Sequence, residues 1–203
     1  MANHHILDSK GVDVSAKDTW QALCTDNLPD SIALSEITLL ELLHKQEKPE
    51  VLVPLADLLD SKGVLAGGLI KEVYELIEQH SSHHGVWITA DTDTDVLTAL
   101  SELLLKQSLI VIHFPKFADG RGFSFVQTLR QLGYQDEIRV AGEFGRDQIA
   151  YLLRVGVDSF VLSEHDVHPD SKFDIEQAFT ALASSYDGRR AADLPMFAGL
   201  FRA

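Results

Sequence analysis

Lys116, Asp119 and Arg121 fall within one short segment, Phe114-Pro-Lys-Phe-Ala-Asp-Gly-Arg-Gly-Phe-Ser-Phe125. Gly120 and Gly122 flank the arginine, so the backbone there can take angles other residues resist. A second group, Glu143, Arg146 and Asp147, recurs about one structural unit later. Arginine offers a two-pronged fork to an oxyanion, and helix N-termini add free N–H groups and a favourable dipole. Lys116, Asp119, Gly120, Arg121, Gly122, Glu143, Arg146 and Asp147 are therefore candidates for binding an oxyanion, phosphate or a carboxylate. The plainer alternative is that Asp119 and Arg121 cap a helix and pair with Glu143 or Asp147, as polar loop residues often do.

Other chemistry-bearing residues give weaker signals. Glu164-His-Asp-Val-His168 places two imidazoles three apart beside carboxylates, a spacing a divalent ion accepts, but a solvated loop reads the same way and no metal is assigned. Asp91, Asp93 and Asp95 look like helix starters. His80, His83 and His84 fall in an apparent turn, and His113 ends an apolar run as a core histidine would. Lys116 as a Schiff-base lysine lacks a visible activating partner. Cys24 has nothing beside it to lower its pKa. No residue is assigned a catalytic role.

The elements that must position these groups are legible from residue 85 onward. Val86–Thr89, Leu109–His113, Glu137–Ala141 and Ser159–Leu162 read as short apolar strands. Between them Val96–Leu104, Phe125–Leu132 and Arg146–Arg154 follow helical spacing, and Ile175, Phe179 and Leu182 stripe a last helix. Continuous apolar strands alternating with helices imply an α/β fold with a mainly parallel sheet of about four βα units, either half-barrel-like or doubly wound. Ligands of such sheets gather at the carboxyl ends of the strands, where all the candidate loops emerge.

Before that core, residues 1–84 read as an N-terminal extension. It has a hairpin around Ser9-Lys10, a loop over 21–35, a short helix from Ile37 to Lys45, a brief strand or turn at Val51–Leu55, and helix over 56–80 broken at Gly63 and Gly67-Gly68. Residues 85–186 form the βα core, and 187–203 an apolar tail, Leu194-Pro-Met-Phe-Ala-Gly-Leu-Phe201, behind a polar break.

The net charge of −14 argues against a general nucleic-acid surface, which needs clustered bases. A single cysteine excludes an internal disulfide and any cysteine-held cluster built by one chain. No apolar run approaches the roughly 20 residues of a bilayer span, and the start, Met-Ala-Asn-His-His, lacks a secretion signal's basic and apolar regions, so a cytoplasmic location away from membranes is expected. Gly120-Arg-Gly122 lacks the third glycine of a dinucleotide fingerprint, and neither a P-loop nor a nucleophile elbow is present, so no cofactor is expected.

The segment 114–124 resembles the signature of a bacterial family of unknown function, the one numbered 934 among the domains of unknown function. Further matches are Gly133-Tyr134, Gly142-Glu143, Arg146-Asp147-Gln148, Gly156-Val-Asp158, Val51–Leu55 and Asp18-Thr-Trp20. Glu143 stands where the family pattern has Asp, and Phe144-Gly145 where it has two aliphatic residues. Members are commonly labelled oxidoreductases of sulfite reduction. The resemblance implies a role in sulfate assimilation with sulfite reductase as the partner. Two forms of that role stay open: an oxidoreductase subunit that borrows its redox centre, or a non-catalytic accessory protein of the reductase. Self-association into a homo-oligomer is compatible with either.

Overall fold

The computed structural model describes residues 4–23, 29, 32, 34–60, 62–89, 92–117, 120–163 and 179. The fold is mixed α/β, built on one curled, half-barrel sheet of eight strands. Its strands are β1 (His4–Asp8), β2 (Trp20–Leu23), β3 (Ser35–Ile37), β4 (Glu50–Pro54), β5 (His83–Thr89), β6 (Leu109–Phe114), β7 (Glu137–Gly142) and β8 (Ser159–Ser163). They lie in the order β1-β8-β7-β6-β5-β4-β2-β3. Every pair is parallel except β1 with β8.

The helices are α1 (Leu39–His44), α2 (Leu69–His80), α3 (Thr94–Ala99), α4 (Ser101–Leu104), α5 (Arg121–Leu132) and α6 (Arg146–Val155). From β4 to β8 each new strand is added on the same side of the last. Crossovers of one hand then put every connecting helix on one face, which curls the sheet instead of winding it doubly. The core divides accordingly. Leu42, Tyr74, Ile77, Leu97, Phe125, Leu129, Ile149 and Leu152 pack with Val86, Ile88, Ile110, Ile112, Phe114, Val140 and Phe160 on the helix-bearing face. The other face carries Ile6, Trp20, Leu52, Trp87, Leu109, Val111, Ala141 and Val161, with Ile32 packed in the same cluster. β6 is buried at all six positions, as a central parallel strand must be. Each large side chain so buried contributes roughly 2 kcal/mol.

Local signals set the element ends. Thr38 caps α1 by accepting from the Glu41 N–H at 3.2 Å, while the Glu41 carboxylate accepts from the Thr38 N–H at 2.8 Å. α5 stops at Gly133, whose φ of 99° lies in the left-handed region.

Several expectations change. The loop over 21–35 holds most of β2 and the first residue of β3. Of the strand and turn alternatives at 51–55, residues 51–54 form a buried parallel strand and Leu55 opens a 3-10 turn. His83 and His84 lie in β5, not in a turn. Residues 4–54 thus give four strands to the same sheet as the core. Helix over 56–80 is reduced to a 3-10 turn at Leu55–Leu58 and α2. The hairpin around Ser9-Lys10 is present as a short antiparallel pairing, with a bridge between Leu7 and Asp13 and the Asp8 N–H donating to the Val12 carbonyl at 2.9 Å, while β1 also pairs along its length with β8. The last helix, apart from the buried Phe179, and the apolar tail lie outside the described residues. No described helix is long and apolar enough to cross a membrane.

Candidate functional site

The carboxyl ends of β6 and β7 are in register, with Phe114 opposite Gly142. The Glu143 N–H continues the ladder to the Phe114 carbonyl at 2.8 Å. The loops that follow are therefore neighbours, and they meet through side chains. A Cβ on Gly145 would run into the Phe117 ring and the Asp147 carboxylate, so all three are in close contact. Gly122, the second residue of α5, is likewise filled by the Phe114 ring. That ring also lies 5.6 Å from Phe123 and 6.3 Å from Phe144, between centroids. An aromatic layer under the edge fixes where both helices begin.

Lys116 is exposed, without the buried pocket a Schiff-base lysine uses. Gly120 is the exposed N-cap of α5, and Arg121 is that helix's exposed first residue. Glu143 is exposed; Arg146 opens α6 half-buried; Asp147 follows it, exposed. The Gly145 N–H donates to the Gln148 side-chain oxygen at 2.9 Å, securing the start of α6. Arg121 and Arg146 both have interaction partners. Asp119 lies outside the described residues. Seven of the eight candidates thus stand on one edge, in two touching loops.

The remaining candidates separate. Asp93 caps α3 by accepting from the Asp95 N–H at 3.0 Å. His113 is buried on the helix-free face, edge-on to Trp87 at 6.2 Å between ring centroids. Asp91, Glu164, His165, His168 and Cys24 lie outside the described residues. No group of three or more metal-ligating side chains occurs among the described residues.

The opposite edge holds a polar cluster that the sequence reading missed. Arg139 projects from β7 with its side chain 4% exposed. Its Nη2 donates to Asp18 Oδ1 at 2.8 Å and contacts Glu137 Oε1 at 2.9 Å, while Nε donates to Glu137 Oε1 at 3.0 Å and to Ser159 Oγ at 3.2 Å. Burial by itself lowers the Arg139 pKa, but the Glu137 and Asp18 carboxylates more than reverse this, leaving the guanidinium above its ordinary value. Burial raises the Asp18 carboxyl against the pull of Arg139. The sequence signal was an arginine in the middle of an apolar parallel strand, where a charge survives only if paired.

His84 sits near this edge, its Nε2 3.6 Å from Glu78 and its ring 6.2 Å from Tyr74. Burial lowers its pKa from 6.5, with Glu78 opposing. The unfolded chain then takes up this proton at a higher pH than the folded one. Stability is expected to be fully present above the ordinary value and to fall as the pH drops through the lowered one. Urea midpoints between about pH 7 and pH 5 test this. His84→Gln should flatten the slope, and an unchanged slope would assign the acid sensitivity elsewhere.

No curated protein and no solved structure matches the chain. Residues 85–197, more than half of the sequence and the part that builds this loop edge, match the family model described as a bacterial protein of unknown function, DUF934, and the chain belongs to that family.

Proposed function

We propose that this protein serves sulfate assimilation by binding an oxyanion at the loops after β6 and β7, and that it acts with or on sulfite reductase in the cytoplasm. The observation that carries the binding half is the convergence of α5 and α6, whose first residues are Arg121 and Arg146, on adjacent strand ends beside Lys116. Oxyanions are held by such N–H groups and guanidinium forks. The link to sulfite reduction is supported by the likeness of residues 114–124 to a family whose members carry that label.

Calorimetric titration with sulfite and sulfate tests the binding. Arg121→Ala and Arg146→Ala are expected to weaken it while costing under about 1 kcal/mol of stability. Unfolding of both variants would make these arginines structural ties and end the binding proposal.

A second reading, a non-catalytic accessory protein of the reductase, is favoured by Phe117, which is 56% exposed on the same edge beside Lys116. Exposed aromatics next to cations are common anchors of protein contacts. Co-purification with sulfite reductase that Phe117→Ala abolishes, without turnover of sulfite by the purified protein, would select this reading. A deletion strain that still grows on sulfate alone would count against both.

A further inference from the structure

α5 and α6 differ in charge from the rest of the chain. Between them they carry four arginines, Arg121, Arg130, Arg146 and Arg154, and one acid, Asp147. The whole chain carries −14, and α2, as long as α5, has three glutamates against one lysine. Arg130 is bonded to Asp158 and to the Gly156 carbonyl, but Arg121 and Arg154 are exposed. A locally positive face on an acidic protein attracts a negative partner at short range.

Exposed rings share this face. Phe117, 56% exposed, touches Gly145 and Asp147 at the start of α6. Tyr151, 43% exposed, stands one turn beyond Asp147 on the same side of that helix. Its ring packs on Phe123 of α5, 5.2 Å between centroids, and the Arg154 guanidinium lies over it at 6.0 Å. Lys116 and Arg154, both exposed, thus edge the two rings. Rings already held by packing lose little freedom when a partner covers them, which makes them effective contact residues.

Charge selects the occupant. Two copies of the chain joined through this face by a two-fold axis would set one positive surface against another. A long polyanion would extend over the acidic remainder of the chain, whereas a short acidic segment meets only charges within a screening length of about 8 Å. We infer that the face formed by α5, α6 and the loop after β6 docks an acidic segment of another protein whose apolar side chains cover Phe117 and Tyr151. Docking of this kind rests on the accessory reading given above and supplies the chemistry of the partner's contact.

A fluorescein-labelled peptide alternating glutamate with leucine probes the face without the reductase. Its anisotropy should rise saturably with added protein, and raising the salt from about 50 to about 300 mM should weaken binding several-fold. Peptides with lysine in place of glutamate, or serine in place of leucine, should bind about tenfold more weakly. Tyr151→Ala is expected to weaken the alternating peptide by about five- to tenfold, and Arg154→Glu by about fivefold. Should Tyr151→Ala unsettle α6, Arg154→Glu, at an exposed position, still reads the face. Sulfite titration of Tyr151→Ala should match that of the unsubstituted protein. No saturable binding, equal binding of the lysine peptide or of oligothymidylate, or an affinity unmoved by both variants would overturn the inference. Self-association that Tyr151→Ala abolishes in sedimentation would give the face to a second copy and overturn it as well. Peptide failure with sulfite reductase still co-purifying ends this docking face alone. Peptide binding without that co-purification ends the accessory reading and keeps the face.

Discussion

Arg139→Ala is expected to cost about 3 kcal/mol of folding stability, the lower end of what breaking a buried ion pair costs. The guanidinium joins two strands and the segment before β2, through Glu137, Ser159 and Asp18. Its removal strands the Asp18 carboxylate, 10% exposed, while Glu137, 34% exposed, keeps some water. The loss should depend on pH in a defined direction. Burial already raises the Asp18 carboxyl, and without Arg139 nothing opposes that rise. A carboxyl with a raised folded pKa penalises the folded state above that pKa and ceases to do so once protonated. The deficit relative to the unsubstituted protein should therefore be largest near pH 7 and shrink on acidification. Urea unfolding of both proteins across that range measures it. A triple variant, Arg139→Met with Asp18→Asn and Glu137→Gln, should recover part of the loss, because neutral replacements leave no charge uncompensated. A deficit under about 1 kcal/mol, or one constant with pH, would show that the cluster does not tie the strands.

Why this cluster escaped the sequence, while the loop edge did not, follows from what each signal depends on. Leu109–His113 and Ser159–Leu162 are unbroken apolar runs bounded by loops, so β6 and β8 announce themselves. α5 and α6 are striped at helical spacing, which places Arg121 and Arg146 at helix starts without any knowledge of the sheet. β2 has four residues, Trp-Gln-Ala-Leu, too few to show a period, and it forms because β4 and β3 flank it. His83 and His84 read as turn because polar residues seldom fill strands, yet the ladder with β4 extends back through both, and His83 meets Glu50 at 3.2 Å. Asp18 and Arg139 are 121 residues apart, and nothing local predicts their contact. Sheet order was hidden for the same reason. It is a relation between strands, and only the one-sided placement of the helices turns a set of βα units into a half-barrel.

The curl also separates the two edges chemically. The loops after β6 and β7 place arginines at helix starts, where backbone N–H groups point outward. The opposite mouth has no helix start from these crossovers, and its single buried cation is held by carboxylates. In an acidic chain of net charge −14, the proposed oxyanion binding at these loops should be strongly salt-dependent.

Gly142→Ala is expected to cost about 3 kcal/mol through two effects that cannot relax together. Gly142 has a φ of 98°, in the left-handed region where an L side chain is strained. An added Cβ would also run into the carbonyl oxygen of Phe114 and lie 3.0 Å from His113 Cδ2. The obstacle is backbone at the carboxyl end of the β6–β7 ladder, so no rotamer change makes room. Relief requires β6 and β7 to part at their carboxyl ends, and that movement carries Glu143 and the start of α6 with it. Gly142→Ala should therefore lose oxyanion binding together with stability, whereas Arg121→Ala loses binding alone. Gly120→Ala is the matched control. Its φ of −75° is ordinary and a Cβ there meets nothing within 4 Å, so stability should stay within about 0.5 kcal/mol. The three variants, compared by urea midpoint and by sulfite titration, separate a strained hinge from a permissive loop glycine and a ligand contact. A stable Gly142→Ala beside a destabilised Gly120→Ala would reverse the roles assigned to these glycines and detach the oxyanion loops from the register of β6 and β7.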